Sequence, residues 1–431
     1  MRIVQLTAGT GSFYCGTCIR DNALVSELRR RGHDALLVPM YLPLALDEPP
    51  ATAGTPVLFG GINVYLQQKL SLFRRTPRWL DRLFDSPALL RAAGRKAGMT
   101  SARELGELTL SMLRGEEGHQ AKEVERLVEW MAAEGKPDVI CLSNALLLGL
   151  ARRLKERTGA AIVCLLQGED TFLDALPEPE RSASWAAVQE RAADVNAFLP
   201  VSRYYGDLMC DRARLPREKV HPVYPGILLD GYTPAATRPD PPVLGYLARM
   251  CAAKGLETLV EAYLLLRARD RVPRLQLRVA GACTAADEVF VERMKDRLSE
   301  KGLAPDTRFL PNVSREEKIE LLRGLSVFSV PATYGESFGL YVLEALAAGV
   351  PVVQPRHAAF PELIAETGGG VLCEPDDPLS LAEAIEELLL DPDRARALGA
   401  AGREAVLDRF SVARMAAGVE EVFSALTARS R

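Results

Sequence analysis

The chain has 431 residues, too many for one ordinary core, so two or three domains are expected. Hydrophobic residues at 48% and charged residues at 26% are ordinary for a globular protein and argue against disorder. The net charge of −4, from 53 Lys+Arg against 57 Asp+Glu, argues against a general nucleic-acid binder, which needs a basic excess to neutralise phosphates.

In chain order, the first strand candidate is Ile3–Leu6, and its apolar run Ile3-Val4 stops at Gln5, too soon for a secretory leader. A glycine-bearing loop, Thr10–Gly16, follows it. Cys15-Gly16-Thr17-Cys18 has the C-x-x-C spacing of a redox pair or half a zinc site. No second C-x-x-C completes a tetrahedral site, so the preferred reading is a glycine-containing turn with two packed thiols, and redox or metal chemistry is the alternative. Cys141 and Cys164 lie within apolar runs, as small buried hydrophobes do.

The second strand, Ala35–Pro39, precedes a long helix-rich insertion from about residue 44 to 136. Within it, Phe73–Lys96 carries seven cations against Asp81 and Asp85, with Trp79, Leu80, Leu83 and Phe84 at helical spacing. Such a stretch either packs its apolar side on the domain or lies on an anionic membrane surface. Four further strands are expected at Val139–Leu142, Ala161–Leu166, Ala197–Val201 and Val220–Tyr224. Next, Thr233–Pro242 holds four prolines in ten residues, which suits neither a helix nor a central strand and reads as an interdomain linker. Beyond it, strands are expected at Val243–Leu247, Gln276–Ala280, Thr307–Leu310, Val327–Val330 and Val352–Gln354, with a final helix at Val412–Ala428. Most of these runs lack polar alternation, which suits parallel sheets buried on both faces. The pattern predicts an α/β protein of two doubly wound domains, their strand carboxyl ends facing a central cleft. No run approaches the roughly 20 apolar residues of a spanning helix, so a soluble, cytoplasmic protein is expected.

The segment Pro331–Val353 reads as strand end, glycine-bearing loop, helix, glycine stop and strand. Gly335 and Gly339 let backbone approach a ligand, and the loop delivers it to a helix N-terminus, whose unpaired N–H groups suit phosphate or sugar oxygens. Glu336 and Glu344 stand eight apart in this frame, and an ionised carboxylate can accept from a vicinal diol. Earlier, Val243–Leu259 forms strand, loop and helix carrying Arg249 and Lys254, whose convergence would neutralise a diphosphate. Taken alone, those two read as solvated surface cations, and the glutamate segment downstream reverses that reading.

Together these segments resemble the donor-binding elements of retaining GT-B glycosyltransferases, especially glycosyltransferase family 4. The resemblance implies two Rossmann-like domains. Residues 1–232 form the acceptor-side domain, 233–242 the linker, 243–411 the nucleotide-sugar domain, and 412–431 a helix returning to the first domain. It implies a hexosyltransferase moving a sugar from a nucleotide-diphosphate sugar to an acceptor hydroxyl with no cofactor. The only D-x-D, Asp391-Pro392-Asp393, reads as a solvated cap rather than a metal site. By the resemblance, Arg249, Lys254 and Glu336 are catalytic. Ser337, Phe338, Gly339, Leu340, Glu344 and Gly281 bind donor, with Gly11 and Gly16 in the glycine-rich loop of the first domain. Where the family often places a histidine after the fourth strand, this chain has Gln167-Gly168-Glu169-Asp170, so Gln167, Glu169 and Asp170 are the acceptor-side candidates. Gly32-His33-Asp34 resembles the family's turn before the second strand, with His33 structural. Two other family positions differ: Pro225-Gly226 replaces Asn-Gly, and Ala358-Ala359 replaces paired glycines.

The expected partners are a nucleotide sugar and an acceptor that is a glycan, a lipid-linked molecule or a small molecule. Peripheral membrane contact remains open and nucleic acid is not expected. One alternative is a glucan synthase like the bacterial glycogen and starch synthases, although their early lysine is missing from Phe13–Gly16. Another is a non-catalytic sugar-nucleotide-binding protein. Donor binding is expected to close the domains about the proline-rich linker. No motif encodes the sugar, base, acceptor or oligomeric state.

Overall fold

The computed structural model describes residues 1–9, 16–42, 50–52, 61–70, 73, 74, 76, 102–133 and 135–428. Gly11, Cys15 and all of Phe73–Lys96 except residues 73, 74 and 76 lie outside this set. The chain divides into two compact units. One is Met1–Pro225 together with Val412–Arg431, and the other is Gly226–Ser411.

The first unit is built on five parallel strands: β1 (Arg2–Thr7), β2 (Asp34–Pro39), β3 (Val139–Leu142), β4 (Ala161–Leu166) and β5 (Ala197–Pro200). Their order is β2-β1-β3-β4-β5, so the winding reverses between β1 and β3. The register sets Ile3 beside Val139 and Val139 beside Ala161. Ile3, Leu6, Ile140, Ile162 and Phe198 are buried, as a parallel sheet covered on both faces requires. Val220–Tyr224 does not form the expected sixth strand. His221 and Val223 donate backbone hydrogen bonds to Phe198 and Pro200 of β5, but Pro222 between them has no N–H, and only a single bridge at Val220 is made. The final helix, Val412–Ala428, buries Met415, Ala416, Val419 and Phe423. Its Glu420 accepts hydrogen bonds from Arg31 Nε (2.7 Å) and His33 Nε2 (2.9 Å), which gives His33 a structural place within this unit.

The second unit has six parallel strands: β6 (Val243–Leu247), β7 (Gln276–Gly281), β8 (Thr307–Pro311), β9 (Val327–Phe328), β10 (Val352–Pro355) and β11 (Gly370–Cys373). The order β11-β10-β9-β6-β7-β8 is the doubly wound arrangement, with its switch point between β6 and β9. β9 is shorter than expected, because Ala332 N–H folds back to the Val330 carbonyl (2.8 Å) before Pro331 can extend the ladder. Sequence reading misses β11, which is four residues long and opens on a glycine.

The proline-rich stretch Thr233–Pro242 belongs to the second unit rather than standing between units. The segment leading into it is fastened there. Ile227 N–H bonds the Phe410 carbonyl (3.0 Å), Arg403 bonds the Tyr232 carbonyl (3.0 Å), and Arg238 bonds the Leu389 carbonyl (2.9 Å). The chain therefore passes between units at Pro225–Gly226 and again at Ser411–Val412. Among the described residues, no helix is long and apolar enough to cross a membrane.

Candidate active site

In an open parallel sheet, the loops leaving the strands on either side of the switch point diverge and leave a crevice. Here those loops follow β6 and β9, and they carry Lys254 and Glu336 respectively. Thr333 N–H donates to the Ala253 carbonyl (3.0 Å), stitching one loop to the other. Gly255 has φ +71°, and a β-carbon there would collide with the Pro331 carbonyl oxygen, so only glycine permits this approach. Gly281, with φ +133°, performs the same service against the Ala248 carbonyl, where the β6 loop runs on beside the end of β7.

Lys254 ends a short 3-10 turn, Ala252–Lys254. Its Nζ donates to Glu336 Oε2 at 2.5 Å and to the Tyr334 hydroxyl. The ammonium also lies over two aromatic rings, 4.9 Å from the Tyr334 centroid and 5.3 Å from that of Tyr341. Glu336 is only 8% exposed. Its Oε2 additionally accepts from the hydroxyls of Tyr334 (3.0 Å) and Tyr341 (2.9 Å). Burial, followed by the neighbouring Glu336 charge, pushes the Tyr341 phenol well above its ordinary range, so it stays protonated and donates.

Arg249 is engaged elsewhere. Its guanidinium forks onto Asp287, with Nε 3.1 and 3.0 Å from the two carboxylate oxygens and Nη2 3.0 Å from Oδ1. Asp287 also accepts from Thr284 N (2.9 Å) and Oγ1 (2.6 Å). Burial works to raise the Asp287 carboxyl, but the Arg249 and Thr284 hydrogen bonds outweigh it and hold it below the usual range. Arg249 rises in turn, chiefly through its hydrogen bond to Asp287. The Arg249 side chain is 53% exposed, and among the described residues it shares no partner with Lys254.

Glu344 sits in the helix Leu340–Ala347, where its Oε1 meets Lys318 Nζ (2.8 Å) and the Tyr232 hydroxyl (3.1 Å). Gly339 caps that helix at its N-terminus, and Leu340 is its first residue. Ser337 and Phe338 are buried, and the Phe338 ring packs 6.2 Å from that of Phe410, so it is built into the core.

In the first unit, Gly16 opens the helix Gly16–Arg30. Glu169 is buried and its carboxylate is occupied by the N–H groups of Ala145 (2.9 Å), Gln167 (2.8 Å) and Gly168 (3.0 Å) and by the Tyr205 hydroxyl (2.8 Å). That set of bonds makes it an organiser of the loops after β3 and β4. Gln167 Nε2 donates to the Ser143 carbonyl (2.9 Å), which also receives the buried Arg20. Asp170 Oδ1 lies 2.9 Å from the same Tyr205 hydroxyl. The single phenolic hydrogen is therefore shared between the Glu169 and Asp170 carboxyl groups. Burial pushes Asp170 up, against the opposing effect of the Tyr205 bond.

Among the described residues, no group of three or more His, Cys, Asp or Glu is placed to hold a metal, and Cys18 is buried. Asp391 caps the helix that follows it, accepting from Arg394 N–H (3.0 Å). Sequence reading does not reach Tyr334, Tyr341, Asp287, Lys318 or Tyr232. Only Tyr334, two residues before Glu336, carried a signal that could have found it.

Two family models cover most of the chain. Residues 234–405 match "Glycosyl transferases group 1", and residues 103–230 match "Glycosyltransferase Family 4". The chain belongs to the group 1, family 4 glycosyltransferases. Among curated members of this family, a GDP-mannose-dependent alpha-(1-6)-phosphatidylinositol monomannoside mannosyltransferase of Mycolicibacterium smegmatis is 28% identical over 85% of this chain and 95% of its own length. A D-inositol 3-phosphate glycosyltransferase of Corynebacterium jeikeium is 33% identical over 41% of this chain, and the match spans only 45% of that protein. Among solved structures, sucrose-phosphate synthase from Thermosynechococcus elongatus superposes with a TM-score of 0.70 at 19% identity, covering all of both chains. Anabaena HepE, solved in complex with UDP, gives 0.67 at 16% identity over 99% of this chain and 100% of its own. These likenesses establish the fold as GT-B, with two Rossmann-like domains.

Proposed function

We propose that this protein is a retaining, metal-independent glycosyltransferase that moves a sugar from a nucleotide-diphosphate sugar to an acceptor hydroxyl. The observation that carries the reading is the Lys254–Glu336 pair, held at 2.5 Å on the two loops that flank the switch point of the second unit's sheet. Lys254 has three N–H donors and spends two of them on Glu336 and Tyr334, leaving a third for a diphosphate oxygen. Glu336 then orients the sugar hydroxyls, Glu344 takes the ribose diol, and the first-turn N–H groups of the helix Leu340–Ala347 add partial positive charge.

In the transfer itself, the bond from the anomeric carbon to the diphosphate breaks as the acceptor oxygen bonds to that carbon from the same face. The acceptor proton passes to the departing phosphate oxygen. Lys254 stabilises the leaving charge, where preorganised electrostatics contributes most. The named relatives suggest where to begin: one is described as GDP-mannose-dependent, and HepE was solved with UDP and glucose. The names of the Corynebacterium and Mycolicibacterium relatives carry inositol 3-phosphate and a phosphatidylinositol monomannoside, which points to the acceptor side. An anionic or lipid-linked acceptor therefore suits the seven cations of Phe73–Lys96. A thermal-shift panel of GDP-, UDP-, ADP- and TDP-sugars tests the reading, because a ligand bound only by the native state raises its melting temperature. A rise with one nucleotide sugar that disappears in Lys254→Ala supports it. No shift across the panel contradicts it.

A further inference from the structure

Among the described residues, every hydrogen bond to the Glu336 carboxylate falls on one oxygen. Oε2 receives Lys254 Nζ at 2.5 Å, Tyr334 OH at 3.0 Å and Tyr341 OH at 2.9 Å. Among the described residues, Oε1 receives none. An oxygen with two lone pairs is saturated by three donors, so the carboxylate is fully used on one edge and unused on the other.

Tyr341 is placed to impose that asymmetry. It is the second residue of the helix Leu340–Ala347, so its backbone is fixed, and its ring packs 6.3 Å from that of Phe328 on β9. A buried phenol needs a hydrogen-bond partner, and the one its hydroxyl meets is Glu336 Oε2. An aliphatic side chain here could pack on Phe328 without a hydroxyl to desolvate, so core packing alone does not account for a tyrosine. The same ring forms one wall beneath the Lys254 ammonium, with Tyr334 forming the other.

We propose that Tyr341 is a positioning residue. It pins Glu336 through Oε2 and, with Tyr334, cages Lys254, so that Oε1 alone is presented to the donor's sugar hydroxyls. This rests on the reading of Glu336 as the sugar clamp. A single fixed acceptor edge reads hydroxyl geometry sharply, whereas a carboxylate free to swing accepts from an epimer nearly as well.

The test is a double-mutant cycle on the full chain: wild type, Tyr341→Phe, Glu336→Gln, and the two together. Phenylalanine keeps the ring, and thus both the packing and the cation–π wall, and removes only the hydroxyl. The readouts are the rate of donor hydrolysis by water, the ratio of that rate between UDP-glucose and UDP-galactose (GDP-mannose and GDP-glucose if the guanosine series binds), and the affinity for free UDP or GDP. Tyr341→Phe should lower hydrolysis about tenfold, the worth of one hydrogen bond to a charged group. It should narrow the epimer ratio while leaving affinity for the free diphosphate within about twofold. In the Glu336→Gln background the same substitution should change little further, since coupled residues are not additive.

Equal factors in both backgrounds overturn the proposal, as does an equal loss of affinity for the free diphosphate, which marks a general structural role. A wild type that binds no nucleotide sugar overturns the site reading and this inference together. An active wild type with an additive cycle overturns this inference alone. Should Tyr341→Phe melt well below wild type, Tyr334→Phe provides a second cycle, expected to show the same non-additivity with Glu336→Gln.

Discussion

Replacing Lys254 with alanine removes three things at once: the ammonium bonded to Glu336, its bond to Tyr334, and two cation–π contacts. The stability cost lies between two limits. Breaking a fully buried pair costs about 3–5 kcal/mol, while an exposed pair is worth about 0–1 kcal/mol. Lys254 is 21% exposed, and Glu336 would keep both tyrosine hydroxyls as donors, so about 1–2 kcal/mol is expected. In a domain the size of Gly226–Ser411 that lowers the melting temperature by roughly 2–8 °C, leaving a folded protein. The catalytic loss is larger. One preorganised charge on a leaving group is worth about 2–4 kcal/mol, or roughly 30- to 1000-fold in turnover. Urea denaturation gives the first quantity and nucleoside-diphosphate release from a bound nucleotide sugar gives the second. Adding Glu336→Gln should recover part of the lost stability, because the carboxylate left without its cation is then gone. Turnover within about threefold of wild type in a folded Lys254→Ala protein would refute the assignment.

Two other perturbations have outcomes fixed by the structure, and a third rests on the cations of Phe73–Lys96 in the sequence. The carboxyl of Asp287 is held low, so its pairing with Arg249 stabilises the fold above the unfolded carboxylate pKa and is lost as pH falls through the folded value. The gap in melting temperature between wild type and Asp287→Asn should hold steady from pH 7 to 5 and shrink below about pH 4. Asp170 has the opposite sign, because burial raises its pKa and its contribution fades as pH rises through the folded value. Asp170→Asn should therefore melt at or above the wild-type temperature at pH 7, and a clear fall there contradicts the reading of its contact with Tyr205. For the membrane, about 1 kcal/mol of adsorption per basic residue on an anionic surface predicts that the protein co-sediments with anionic vesicles at low salt. Equal recovery in the supernatant with neutral and anionic vesicles favours an acceptor in solution.

The parts of this molecule that could be read from sequence are those carried by one continuous stretch of chain. Glu336 and Glu344 lie in a single strand–loop–helix unit, and Lys254 follows directly from the end of β6, so local pattern reached all three. Their partners come from elsewhere in the fold. Asp287 reaches Arg249 only because β6 and β7 are parallel neighbours, which a separation of 38 positions does not reveal. Lys318 meets Glu344 from a helix that follows β8, and Tyr232 reaches it from before β6. Tyr341 lies in the same segment as Glu336, and only the position of its hydroxyl in the fold distinguishes it. Strand errors have equally local causes. Pro222 interrupts the short run Val220–Tyr224 beside β5, and the glycine opening β11 disguises a short edge strand.

The stereochemistry of donor cleavage bears most directly on the proposed reaction. The donor found by thermal shift is incubated with the enzyme, and the released sugar is followed by proton NMR before it mutarotates. A front-face transferase acting on an α-linked donor releases the α anomer first, together with one equivalent of nucleoside diphosphate, and Lys254→Ala slows both signals alike. Initial release of the β anomer, or sugar appearing without nucleoside diphosphate, contradicts it.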